Sequence, residues 1–184
     1  MKIVHSYFSR SELEQLGFKS LGENLKISRF ATFYGKEFIA IGNNVRIDDF
    51  AVISTGSSSL FADHVHIGAH SILLAQKGFI FDCFATMSPR STILGQTDDF
   101  KSAHIANATV DISFRNVYAS LVHVPEQVVI GTGSTVLPQA ILSAGVALGA
   151  MSLLNFSTLP WTLYAGIPAR SLGSRDKPTS IPPR

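Results

Sequence analysis

The 184-residue chain is predicted to be an all-β solenoid, with three short strands per coil and the coils stacked on one continuous core. Three observations predict it. Large aliphatic and aromatic residues recur every six positions: Leu21, Ile27 and Phe33; Ile41, Ile47 and Ile53; Phe61, Ile67 and Leu73; Phe81, Met87 and Ile93; then Ile130, Val136, Leu142, Leu148 and Leu154. The residue four places after such an anchor is commonly small or β-branched, as at Val45, Ala51, Val65 and Ser71. The leading anchors Leu21, Ile41, Phe61 and Phe81 are spaced twenty residues apart. A period of six fits neither an amphipathic helix nor an alternating strand. It fits one inward residue per short face, and stacked repeats share a core that no single repeat could build.

The elements follow in chain order. Residues 1–20 form an N-terminal segment in which "SRSELEQLGF" reads as a short helix. Ser9 caps it, Glu12 closes a capping box and Gly17 ends it. Residues 21–170 carry the repeat. Each twenty-residue coil exceeds three sixes by two, always between the third anchor and the next first anchor, at "YGKEFIA", "STGSSSL" and "AQKGFIF". These extra residues are predicted to bulge at one corner, stacked on each other. A long inserted loop, about 94–129, opens at that same corner. It is too long for a plain connection, so it is a packing arm, a wall of a binding site, or both at once. The tail, 171–184, is polar and Pro-rich and is expected to be loosely ordered.

Composition narrows the functional classes. At 46% hydrophobic and 15% charged residues, the chain suits one domain that buries a large core or further surface in an oligomer. The formal charge is +2 with no Lys/Arg block, so nucleic acid is not an expected partner. The N-terminus has no apolar run long enough for a signal peptide or a membrane span, so no membrane is expected and the cytoplasm is the expected compartment. The single cysteine, Cys83, excludes a disulfide framework and is expected to be a buried core thiol.

Residues twenty apart stack on neighbouring coils, about 4.8 Å apart. Arg46, His66 and Thr86 form one such column; Asp48, Gly68 and Ser88 a second; Phe50, His70 and Arg90 a third; Asn44, His64 and Phe84 a fourth. His66, Asp48, Asp49 and Ser88 are expected to make a polar patch beside the loop opening "GQTDDF", with its Asp98 and Asp99. The stretch "HVHIGAH" is thereby divided: His64 is expected at the surface, His66 at the functional patch and His70 at a subunit interface. No metal site is expected. No other coil supplies a histidine in register, and His5, His104 and His123 lie outside the regular coils.

The repeat resembles that of the hexapeptide-repeat acyltransferases. The resemblance covers roughly residues 20 to 170 and implies a left-handed parallel β-helix of triangular section, assembled as a homotrimer with active sites between subunits. A narrower resemblance rests on "FSRSELEQLGFKSLGENLKISRFATFYG", "IGNNVRIDDFAVIS", "HVHIGAHS", "TDDF" and "FRNV". These are similar to the N-acyltransferases of nucleotide-linked 4-amino-4,6-dideoxy sugars, the dTDP-viosamine type, which serve O-antigen and other surface or flagellar glycans. "PWTLYAGIPARSLGSR" is shared widely with acetyl-CoA-dependent members and implies an acyl-CoA co-substrate, acetyl-CoA by default.

That resemblance implies site residues. Asp98 and Ser88 match the Asp and Ser that contact the sugar amine in the family, with His66 nearby. Asp48, Asp49, Asp99 and Arg115 fall on the substrate side, although Arg115 either faces the nucleotide or braces the loop. Gly131, Gly133, Gly149 and Ala150 are expected to let pantetheine approach, and Arg170 and Arg175 are candidate phosphate contacts. Trp161 is expected to pack the last coil. The chemistry is modest, because a thioester is already activated and an amine needs no strong base once it has lost its proton. Two alternatives stand beside this reading. One is a sugar O-acetyltransferase in which His66 or His104 is a base; the other is a non-catalytic hexapeptide-repeat subunit.

Overall fold

A computed structural model describes residues 6–182. Three parallel sheets form the faces of a prism. The first face stacks Ser20–Leu21, Ile39–Ile41, Ser59–Phe61, Phe79–Phe81 and Val122–Val124. The second stacks Lys26–Ile27, Arg46–Ile47, His66–Ile67, Thr86–Met87, Val129–Ile130, Ala147–Leu148 and Thr162–Gly166, and an antiparallel strand, Ala169–Ser174, closes it. The third stacks Thr32–Tyr34, Val52–Thr55, Ile72–Ala75, Thr92–Leu94, Thr135–Val136 and Leu153–Leu154. The six-residue anchors point inward as expected: Ile27, Ile47, Ile53, Phe61, Ile67, Phe81, Met87 and Ile130 are all fully buried. The positions four residues on are buried too, including Val45, Val65, Ala85 and Val128. So are Ser71, Ser91, Ser134 and Ser152. Their hydroxyls satisfy corner carbonyls that would otherwise be buried unpaired: Ser91 Oγ donates to the Ser88 carbonyl at 2.7 Å, and Ser134 Oγ to that of Gly149 at 2.7 Å.

Register shows how the coil length changes. Ile41 pairs with Phe61, Ile47 with Ile67 and Ile53 with Leu73, a step of twenty on every face. Past Met87 and Ile93 the step is interrupted, yet Phe81 pairs with Val124, Met87 with Ile130 and Ile93 with Val136, so the insertion leaves the core in phase. The interruption is therefore shorter than 94–129. Val122–Val124 is a regular first-face strand, and Val124, six residues before Ile130, is an anchor the repeat count passed over. The extra residues do stack at the corner between third and first faces. A Cβ on Gly35 would meet the Thr55 carbonyl oxygen, one on Gly78 the Ser58 carbonyl oxygen, and one on Gly95 the Leu74 carbonyl oxygen.

The other two corners turn on single residues with positive φ. Asn24, Asn44, His64, Phe84 and Gln127 lie between 56° and 64° at the first–second corner. Phe50, His70 and Arg90 lie between 58° and 60° at the second–third corner. Such backbone is costly for bulky side chains, and ring stacking between coils offsets the cost. His64 stacks on Phe84 with ring centroids 4.9 Å apart, and His70 on Phe50 at 4.9 Å. Cys83 sits beside Phe84 at this first–second corner and is only partly buried, so it is a corner residue rather than a core thiol. The N-terminal helix, Arg10–Gln15, has the expected box: Ser9 accepts from the Glu12 amide and Glu12 accepts from the Ser9 amide. Its Leu13 is buried against the first coil.

Candidate active site

The second–third corner carries one continuous column. Asp48, Gly68 and Ser88 stack as the twenty-residue step requires, and the later steps add Gly131, Gly149 and Ala165. Arg170 pairs with Ala165 across the closing hairpin, so an exposed guanidinium stands at the C-terminal end of this column. Below Ser88, Asp48 is the centre of a small network. Arg46 Nε donates to its Oδ1 at 2.6 Å, and His66 Nε2 lies 2.9 Å from its Oδ2. Tyr7 donates its hydroxyl proton to Oδ1 from 3.4 Å. Burial pushes the Asp48 carboxyl upward, but the hydrogen bonds from Arg46 and His66 outweigh it and leave it below the usual carboxylate range.

Asp98 and Asp99 lie elsewhere. The inserted segment leaves the third–first corner as a hairpin, in which Gln96–Asp98 pairs antiparallel with Val117–Ala119. Arg115 grips Asp98 with both arms of its guanidinium, Nε to Oδ1 at 2.9 Å and Nη2 to Oδ2 at 2.9 Å. Asn116 Nδ2 donates to Asp99 at 3.0 Å just beside it. Under the hairpin runs a groove of about 700 Å³, bounded by Leu94, Phe100, Tyr118, Leu137 and Pro138, with Asp98, Asp99 and Lys101 on its polar side. The sequence reading put His66, Asp48, Ser88 and Asp98 in one patch. In the structure the width of the third face separates them within a single chain. The extended stretch 91–95, which contains the strand Thr92–Leu94, is alone about 13 Å long at about 3.3 Å per residue.

Several expected site residues have structural work. Asp49 accepts from the buried Ser28 hydroxyl of the preceding coil. A Cβ on Gly131 would stand 2.5 Å from the Leu148 carbonyl oxygen, so close coil stacking by itself demands glycine there. Gly133 turns the second–third corner with φ of 69°, while Ala150 is exposed beside it. Arg175 is not on this corner. Its Nη1 donates to the carbonyls of Gln127 at 2.8 Å and Gly145 at 2.9 Å, and it straps the tail to the first–second corner. Trp161 packs there as expected, lying over Gly145. His104 is exposed on the loop, with Nδ1 3.3 Å from Ser102 Oγ. Among the described residues, no group of three or more His, Cys, Asp or Glu side chains could hold a metal ion. The groove walls Leu137, Pro138 and Tyr118 were not singled out from the sequence. The signal was the register, since Leu137 follows Val136, the coil partner of Ile93.

No protein-family model matches the chain. It is 37% identical over 94% of its length, and 90% of the relative's, to dTDP-4-amino-4,6-dideoxy-D-glucose acyltransferase of Escherichia coli. It is 28% identical over 80% of its length to WbbJ of the same species, a putative lipopolysaccharide biosynthesis O-acetyl transferase. Among solved structures it superposes with a TM-score of 0.89 and 34% identity on AntD, an N-acyltransferase from Bacillus cereus, in complex with dTDP-4-amino-4,6-dideoxyglucose and coenzyme A. That match covers 95% of this chain and 93% of the AntD chain. AntD structures include variants at one serine and at one aspartate, which stand ten residues apart in that protein. By fold, sequence and coverage, the chain belongs to the hexapeptide-repeat acyltransferase family that includes dTDP-4-amino-4,6-dideoxy-D-glucose acyltransferase.

Proposed function

We propose that this protein transfers an acyl group from acyl-CoA to the 4-amino group of a dTDP-linked 4-amino-4,6-dideoxy sugar. It acts in the cytoplasm as a homotrimer and supplies an N-acylated sugar for surface-glycan synthesis. The observation that carries this reading is the pair Ser88 and Asp98. They stand ten residues apart, as do the serine and aspartate replaced in AntD. Asp98 lines a groove bounded by apolar and aromatic side chains. Ser88 heads a column of small residues that ends at Arg170, a path along which a pantetheine chain can lie with its phosphates toward the guanidinium. Because the third face separates the two within one chain, Ser88 of one subunit and Asp98 of the next complete each site.

The chemistry requires little more. The neutral amine attacks the thioester carbonyl carbon, the tetrahedral oxyanion collapses, and the carbon–sulfur bond breaks to release the CoA thiolate. The proton lost by the amine ends on that sulfur. Asp98 accepts a hydrogen bond from the amine and aims its lone pair, and Ser88 steadies it from the other side. Alignment rather than strong base catalysis supplies the rate. Asp98→Asn is expected to lower kcat by about 100-fold or more, with the thermal midpoint little changed. Full activity in that variant contradicts the assignment.

One observation favours transfer to a sugar hydroxyl instead. The Asp48–His66 contact at 2.9 Å has the form that orients a histidine base. The pair points away from Ser88, however, toward the coil on its N-terminal side.

A further inference from the structure

We infer that Arg115 is the positioning residue of the reaction: it acts on Asp98 from behind and does not touch the substrate. This rests on the reading that places the sugar amine at Asp98. Three features carry it. The two hydrogen bonds, each 2.9 Å, occupy one lone pair on each carboxylate oxygen and fix the plane of the group. The pair is sheltered, with the side chains of Arg115 and Asp98 only 16% and 19% exposed, unlike a solvated surface pair. Asp98 borders the groove and Arg115 does not, so the carboxylate is held from the side opposite the ligand.

A carboxylate on a three-residue strand at the mouth of an insertion has few neighbours to set its χ angles. The fork sets them across seventeen residues, tying the two legs of the hairpin at the point where the amine is to be met. The remaining lone pairs of Asp98 then face the groove in one orientation. Loss of the fork leaves the carboxylate present but free to rotate. That is expected to reduce productive alignment rather than binding of the distant CoA.

The experiment is a double-mutant cycle on the full-length protein, with acetyl-CoA and dTDP-4-amino-4,6-dideoxyglucose as probes and thiol release as the readout. Arg115→Gln is expected to lower kcat by about 30-fold or more and to leave the KM for acetyl-CoA within about twofold. Arg115→Lys, which keeps the charge but not the fork, is expected to fall between Gln and wild type. In an Asp98→Asn background, Arg115→Gln is expected to cost less than about threefold further. A full additional loss in that background shows that Arg115 acts independently of Asp98 and overturns the inference. So does wild-type kcat in Arg115→Gln. If Asp98→Asn alone is fully active, the parent reading falls and takes this one with it. If Asp98→Asn is dead while Arg115→Gln is normal, only the present inference falls. Should Arg115→Gln not fold, Arg115→Lys carries the same cycle.

Discussion

At the scale of single residues, the proposed reaction divides side chains that would meet the substrate from those that hold the scaffold. His66 is the sharpest case. Its Nε2 is committed to Asp48, which stands two coils below Ser88 in the same column. His66→Asn, which keeps a donor of similar reach, is therefore expected to retain acyl transfer to the amine within about fivefold, measured as kcat for the amino sugar. A loss of the order of 100-fold would make His66 a base, as general bases contribute that much or more. The motif resemblance pointed to Ser88 and Asp98, the pair on which the proposed reaction rests. It also singled out Arg115, as facing the nucleotide or bracing the loop, but not its grip on Asp98: Arg115 is seventeen residues further on, across a segment with no period, so neither register nor spacing pointed to the fork. The glycines of the proposed CoA path were legible as small residues. The reason for one of them, a carbonyl 2.5 Å from any Cβ at Gly131, is visible only in the stacked backbone.

At the scale of elements, the N-terminal helix shows how local chemistry anchors a coil end. Glu12 closes the capping box and also receives Arg29 Nη2 at 2.7 Å. The Arg29 hydrogen bond first, then those from the Ser9 amide and hydroxyl, pull the Glu12 carboxyl from 4.5 down to about 2. A depressed carboxyl stabilises the fold above its unfolded value, and that contribution disappears as pH falls through the folded one. The gap in thermal midpoint between wild type and Glu12→Gln is thus expected to be constant above about pH 5, and to close as pH drops from 4.5 toward about 2. A gap unchanged at low pH would mean the carboxylate is not what anchors the helix. The helix was legible because its cap signals are local. The end of the inserted loop was not, because Val124 follows an aperiodic stretch, and although it keeps the six-residue spacing to Ile130, its pairing with Phe81 is what shows that it opens the first face.

At the scale of the whole molecule, the prism is what supports the proposed sharing of each site between subunits. The repeat alone predicted three faces and one irregular corner, and the structure has both. What the repeat could not convey is that Ser88 and the hairpin of Asp98 leave opposite ends of the third face, since a linear spacing of ten residues says nothing about a corner turned between them. Sites shared across subunits predict complementation. Ser88→Ala and Asp98→Asn, each inactive alone, are expected to regain activity in roughly a quarter of sites when co-assembled, because each interface then draws one intact partner from each side by chance. No recovery in mixed assemblies would place both residues in one chain's site. The most direct test of acyl transfer to the sugar amine is thiol release by the wild-type protein from acetyl-CoA, with dTDP-4-amino-4,6-dideoxyglucose in one arm and its 4-hydroxy counterpart in the other. Stoichiometric thiol is expected with the amine and background with the hydroxyl; equal release from both, or release from the hydroxyl alone, would contradict N-acylation.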